Sequence, residues 1–252
     1  MDDLKINRIT VESIYKKFNI GFKKQDNALS RFIALFSGKE LSKLIEVLSN
    51  ISFSAQAGEI IGLIGKNGSG KSTLLRVMAG IYQSDSGSIA INGSIVYLNG
   101  FGFGLKERLT MRENIFLVSL LMGLRRKEIN NKFNDIVSFS GLSEYLDTKI
   151  YQFSSGMISR LRFAITVNCL EAKGGDVFLL DEVFGSGGDF EFQKKAIEKM
   201  EELVKGGATV VLVSHDLEII KKYCNRAILL EKGRIALQSS VEEVISKYIN
   251  GK

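Results

Sequence analysis

The sequence predicts an α/β fold, a mostly parallel sheet flanked by helices and interrupted by a helical insertion. Three observations carry this. Short apolar, β-branched runs alternate with segments of helical period, as strand–helix–strand units require. A glycine-rich loop follows one of those runs and opens a helix at Lys71. From about residue 105 to 171 the pattern is helical throughout, so this stretch reads as an inserted subdomain. The remainder, 1–104 and 172–252, reads as one α/β core.

Taken in order, residues 7–19 alternate apolar and polar side chains like a half-buried strand. Asn27 to Leu48 shows helical spacing (Leu29, Phe32, Ile33, Phe36, then Leu41, Leu44, Ile45, Leu48), broken at Gly38. Ile51–Ala55 and Ile60–Ile64 read as strands, the second apolar enough for a buried parallel one. Lys71–Ala79 is a helix with Leu74, Leu75 and Met78 on one face. Ile89–Leu98 reads as a hairpin turning at Asn92-Gly93. Met111–Cys169 is helical. Val177–Leu180 is a strand, Phe192–Lys205 a helix, and Thr209–Val213 a strand. Ala227–Glu231 and Arg234–Gln238 form a final hairpin before a helix over Val241–Ile249.

Composition excludes several functions. The 252 residues include one histidine, two cysteines and no proline or tryptophan. A His/Cys zinc site needs three or four such ligands, and the chain holds three in all. Cys169 and Cys224 read as reduced thiols, not as a disulfide scaffold. No run reaches the roughly 18 to 20 apolar residues of a membrane span, and MDDLKINRIT lacks the apolar core of a signal peptide. A cytoplasmic protein is expected. The net charge of +6 permits an anionic partner, but no aromatic-interleaved basic patch points to nucleic acid.

The strongest signal is Gly65-Lys66-Asn67-Gly68-Ser69-Gly70-Lys71-Ser72, which fits G-x-x-x-x-G-K-[ST]. Its glycines let successive backbone N–H groups face phosphate oxygens, and the following helix adds its positive end. Gly65, Asn67, Gly68, Ser69, Gly70, Lys71, Ser72 and Thr73 are therefore the candidate nucleotide contacts. Lys71 is placed for the β- and γ-phosphates and the Ser72 hydroxyl for Mg²⁺.

Val177–Leu180 ends in Asp181-Glu182. Carboxylates at the C-terminal end of a buried parallel strand lie beside the phosphate loop in an open α/β sheet. Asp181 is placed to hold the Mg²⁺ shell through a water, and Glu182 to polarise the attacking water. His215 follows the strand Thr209–Val213 and so stands at the same edge. Glu182, His215 and Lys71 are the candidate catalytic residues.

These motifs, in this order and with Phe153-Ser154-Ser155-Gly156-Met157 between them, resemble the nucleotide-binding subunit of an ABC transporter over nearly the whole chain. The resemblance implies a P-loop NTPase fold, a RecA-like parallel sheet with an antiparallel β subdomain and an inserted helical signature subdomain. It implies ATP and Mg²⁺ as ligands and a homodimer. In such a dimer Ser154, Ser155, Gly156 and Met157 of one protomer act in trans on the nucleotide of the other. Phe18 stands where the family stacks a ring on adenine, with Tyr15 as the alternative, and Asp189 matches the aspartate of the D-loop.

The Ser-Ser-Gly-Met run continuing through Arg160-Leu161-Arg162-Phe163-Ala164, and Leu109-Thr110-Met111-Arg112-Glu113-Asn114, resemble the ATPases that export O-antigen, capsule or teichoic-acid polysaccharides. That implies a separate transmembrane permease subunit and a place at the cytoplasmic face of the bacterial inner membrane. The rivals are a soluble ABC ATPase outside transport and a nucleotide-binding regulator without turnover. The family's usual glutamine after the second sheet is Gly100 here, with Asn99 adjacent as a candidate metal contact. Residues 27–48 are expected on the membrane, on the permease, or packed on their own sheet. No C-terminal carbohydrate-binding domain is expected after Lys252.

Overall fold

The computed structural model describes residues 7–20, 43–99, 104–173, 176–182 and 190–251. They form two sheets. Strands β1 (Asn7–Ile20), β2 (Lys43–Gln56) and β4 (Ser86–Ile91) make the first, antiparallel and in the order β2-β1-β4. The second has six strands: β3 (Ile60–Ile64), β5 (Ile95–Asn99), β6 (Val177–Asp181), β7 (Thr209–Val213), β8 (Arg226–Glu231) and β9 (Arg234–Ser239). Their order is β5-β6-β7-β3-β8-β9. All these pairings are parallel except β8 with β9.

Every residue of β3, β6 and β7 is buried, which explains their unbroken apolar runs: both faces of the sheet are covered. Alternate side chains enter different cores. Ile61, Leu63, Val177, Leu179, Val211 and Val213 meet the antiparallel sheet and helix α1 (Lys71–Met78). Ile60, Ile64, Phe178, Leu180, Val210 and Leu212 meet the opposite layer. That layer comprises α4 (Ser155–Lys173), α5 (Phe190–Lys205), α6 (Leu217–Tyr223) and α7 (Val241–Asn250).

The helical stretch resolves into α2 (Met111–Leu121), α3 (Arg126–Ser140), two 3₁₀ turns and α4. Their apolar stripes share a core of Met111, Ile115, Ile129, Ile136, Leu161 and Ile165. A capping box at Thr110 and Glu113 starts α2. Among the described residues no helix is long and apolar enough to cross a membrane.

Two local expectations fail. Ile89–Leu98 is not a hairpin: Asn92-Gly93 carries the chain from one sheet to the other. β4 pairs with β1 and β5 pairs in parallel with β6. Ile89 and Ile91 belong to the core between the sheets and Leu98 to the opposite one, so two separate burials outweigh one local turn. The helical reading of Asn27 to Leu48 fails where it can be checked. Lys43–Leu48 is strand, with Ile45 opposite Phe18 and Leu48 opposite Lys16. Pairing with the long β1 overrides the local spacing, leaving Leu44 63% exposed and Leu48 fully buried. The rest of that segment lies outside the described residues. Helix α6 was not among the expected elements. Its sequence cue is Asp216, whose carboxylate accepts from Glu218 N at 3.0 Å and Ile219 N at 3.4 Å.

Candidate functional site

The site lies where β3, β6 and β7 end. The loop after β3 curls over the start of α1, with Gly68 at φ +77° and Gly70 at φ +107°, a region side-chain-bearing residues avoid. At Gly65 the constraint is space: a Cβ there would lie 2.2 Å from the Leu230 carbonyl oxygen. Lys66, Asn67 and Gly68 form the exposed tip, whereas Ser69, Gly70 and Lys71 are buried. The Ser69 carbonyl accepts from Gly233 N at 3.0 Å, so the β8–β9 turn braces the loop.

Two side chains of the loop lack the partners their chemistry calls for. The buried Ser69 hydroxyl has none among the described residues. Among the described residues the Lys71 ammonium, 6% exposed, donates only to carbonyls of its own loop, Gly65 O at 2.7 Å and Lys66 O at 3.1 Å. Burial pulls its pKa down, against the pull of the Glu182 and Asp181 charges nearby. A buried hydroxyl and a buried cation at the start of a helix suit a phosphate group.

Asp181 comes next to the loop as expected. Ser72 Oγ donates to Asp181 Oδ1 at 3.0 Å, and Tyr97 Oη donates to Oδ2 at 3.2 Å. One hydroxyl and one carboxylate are hard oxygen donors that suit magnesium, which takes few protein ligands and completes its shell with phosphates and water. No group of three or more His, Cys, Asp or Glu that could hold a metal exists among the described residues.

Burial raises the Asp181 pKa, outweighing the lowering by Ser72 and Tyr97. A carboxyl raised in the native state costs stability once ionised; the cost builds from about pH 4 to its native value and is complete above that. Asp181→Asn should therefore raise the melting temperature of the ligand-free protein at pH 7. A gain of about 1 kcal/mol corresponds to roughly 2–4 °C in a domain of this size. Calorimetry should show the gain shrinking as the pH is lowered towards 4, and no gain at pH 7 would show that the burial cost is already compensated.

Glu182 and His215 meet directly, with His215 Nε2 2.7 Å from Glu182 Oε1. Glu182 has φ +57°, a left-handed conformation unusual for glutamate, held by its N–H donating to Val213 O at 3.0 Å. Strain of this kind persists where surroundings over-determine it, often at working sites.

Ser154 caps α4, its hydroxyl accepting from Met157 N at 3.2 Å, and Ser154 and Ser155 are exposed. Phe18 packs edge-on against Tyr82 at 5.3 Å, with the Lys16 ammonium 5.3 Å from its ring centroid. Tyr15 is half-buried in β1, opposite Ser86. The backbone of Asn99 ends β5 in register with Asp181. The Asn99 side chain, Gly100 and Asp189 lie outside what the structure describes.

Sequence reading missed Arg76, Tyr82 and Tyr97. Arg76 stands four residues after Ser72 on the same face of α1, a spacing that was available. Tyr97 was hidden because its strand reads as the second arm of a hairpin, whereas it pairs with β6.

A phosphate loop after β3 with an acid at the end of β6 defines a P-loop nucleotide-binding domain. Residues 48–185 match the family described as ABC transporter. The chain is 37% identical over 201 residues to the O-antigen export system ATP-binding protein RfbB of Klebsiella pneumoniae, covering 80% of each. It is 38% identical over 242 residues to the teichoic acids export ATP-binding protein TagH of Lactococcus lactis, covering 96% of this chain. It spans about half the length of TagH (50%) and 65% of the ABC transporter protein AbcA of Aeromonas salmonicida. In fold it is similar to a dimeric post-hydrolysis structure of the ATP-binding cassette MJ0796 bound to ADP and Pi. The TM-score there is 0.70 at 20% identity, over 92% of this chain and 98% of the other. The chain belongs to the ABC transporter family.

Proposed function

We propose that this chain is the ATP-binding and ATP-hydrolysing subunit of an ABC transporter that exports a bacterial surface polysaccharide. The observation that carries the ATPase reading is the convergence of Lys71, Ser72, Asp181, Glu182 and His215 at adjoining strand ends. The relatedness to RfbB and TagH supports the export reading.

In this reading the ammonium of Lys71 turns from the Gly65 and Lys66 carbonyls to the β- and γ-phosphates, where the buried Ser69 hydroxyl and the loop N–H groups also bind. Ser72 and Asp181 would hold Mg²⁺, Asp181 by way of a bound water, with Asn99 as a further candidate. Bound there, the ion would supply neutralisation of phosphate charge. Glu182 accepts the proton of the attacking water, and His215 fixes the carboxylate oxygen that does so. Phe18 offers its ring to adenine.

Helices within 105–171 form the subdomain that presents Ser154, Ser155, Gly156 and Met157 to the nucleotide of a second protomer, with Asp189 at the dimer interface. The exposed capped start of α4 suits that role. The homodimer works beneath a separate permease at the cytoplasmic face of the inner membrane, and the polymer is handled by the permease.

The purified protein should hydrolyse ATP in a Mg²⁺-dependent manner. Lys71→Ala should weaken ATP binding about 10- to 100-fold, the loss of one or two charge-assisted hydrogen bonds. Deleting the gene should remove a surface glycan and leave its polymer inside the cell. No turnover by wild type would overturn the ATPase reading, and an unchanged glycan coat would overturn the export reading.

A further inference from the structure

Both oxygens of Asp181 are engaged, and by different elements. Ser72, at the start of α1, holds Oδ1 at 3.0 Å. Tyr97, from the edge strand β5, holds Oδ2 at 3.2 Å. Tyr97 is itself directed. Arg76 Nε donates to its phenolic oxygen at 3.3 Å, so the phenol accepts there and spends its own proton on Asp181. A second guanidinium nitrogen, Nη1, donates to Tyr82 Oη at 3.4 Å, and the guanidinium carbon lies 5.8 Å from the centroid of the Tyr82 ring. Tyr82 in turn packs edge-on against Phe18.

A carboxylate held at one oxygen can rotate about its Cβ–Cγ bond. Held at both, it presents a fixed set of lone pairs. Oriented partners of this kind commonly determine how well a ligating group serves its metal.

We propose that Tyr97, locked by Arg76, is a positioning residue that fixes Asp181 so that its Oδ1, beside Ser72, faces the magnesium site. The proposal rests on the ATPase reading above. It also gives Arg76 a second role, since this one guanidinium, a helical turn beyond Ser72, joins the metal side of the pocket to Tyr82 and the Phe18 ring. Nucleotide contacts at one end and metal contacts at the other then share one rigid chain of side chains.

The test uses Tyr97→Phe, which keeps the ring and removes only the hydroxyl, in the full chain with a non-hydrolysable ATP analogue. Mn²⁺ serves as the metal probe, read by electron paramagnetic resonance. The expected result is Mn²⁺ binding weakened about 10-fold or more, with nucleotide affinity in EDTA unchanged. The Mg²⁺ concentration for half-maximal turnover should rise, with the maximal rate largely restored at high Mg²⁺. Arg76→Gln should act in the same direction, because Tyr97 loses its lock, and it carries the test should Tyr97→Phe fail to fold. Mn²⁺ binding at wild-type strength overturns the inference, as does an equal loss of nucleotide affinity in EDTA. A wild-type protein that binds no nucleotide would instead overturn the ATPase reading, and this inference with it.

Discussion

Glu182→Gln should cut ATP hydrolysis by about 10²- to 10⁴-fold, the usual contribution of a positioned general base, while ATP binding survives. The amide keeps the size of the side chain and an oxygen that can accept from His215 Nε2, the contact that spans 2.7 Å in the native protein. What it loses is the ability to take a proton from water. The backbone of residue 182 is held at φ +57° by the hydrogen bond to Val213 O, so the substitution leaves the strained turn as it is. Two measurements belong together: steady-state phosphate release, and binding of a fluorescent ATP analogue. Phosphate release at the wild-type rate would remove Glu182 from the mechanism. Binding lost along with turnover would mean that Glu182 serves the nucleotide and not the water.

Gly65→Ala should damage the protein more than any other single-methyl change in the phosphate loop. The added Cβ would stand 2.2 Å from the Leu230 carbonyl oxygen and 2.6 Å from Ser69 Oγ. The serine could rotate; the carbonyl cannot, because β8 is an interior strand of the six-stranded sheet. The backbone of the loop must therefore shift. Overpacking of this kind costs about 1–3 kcal/mol, or roughly 2–12 °C in melting temperature for a domain of this size. ATP affinity should fall at least about tenfold, since each 1.4 kcal/mol of lost contact is a factor of ten. Gly104→Ala is the control, because a Cβ there meets nothing within 4 Å among the described residues. Equal melting temperatures and equal affinities for the two variants would show that the loop gives way more easily than its contacts imply.

The parts of this protein written in local chemistry were readable in its sequence. The buried strands of the large sheet announced themselves by apolar runs, and the phosphate loop by its glycines and Lys71. Asp181 and Glu182 followed from their place at a strand end. What could not be read was decided by distant partners. Lys43 to Leu48 carries a helical spacing, yet β1 claims it as a strand. Asn92-Gly93 is a good hairpin turn, yet the strands on either side join different sheets. Tyr97 shows the cost of that second error. Placed in a hairpin it is one more aromatic residue; placed beside β6 it touches Asp181.

The position of β3 has a consequence for how the molecule is made. This strand lies between β7 and β8, and the loop it leads into is braced by Gly233. Residues 65–72 leave the ribosome long before residues 209–233 do, at about 5–20 residues per second. For that interval β3 has neither of its flanking strands, and its apolar edges must be kept from other chains. The nascent protein therefore carries its phosphate loop well before it can use it. Nucleotide can first stabilise the chain only when translation has passed the β8–β9 turn.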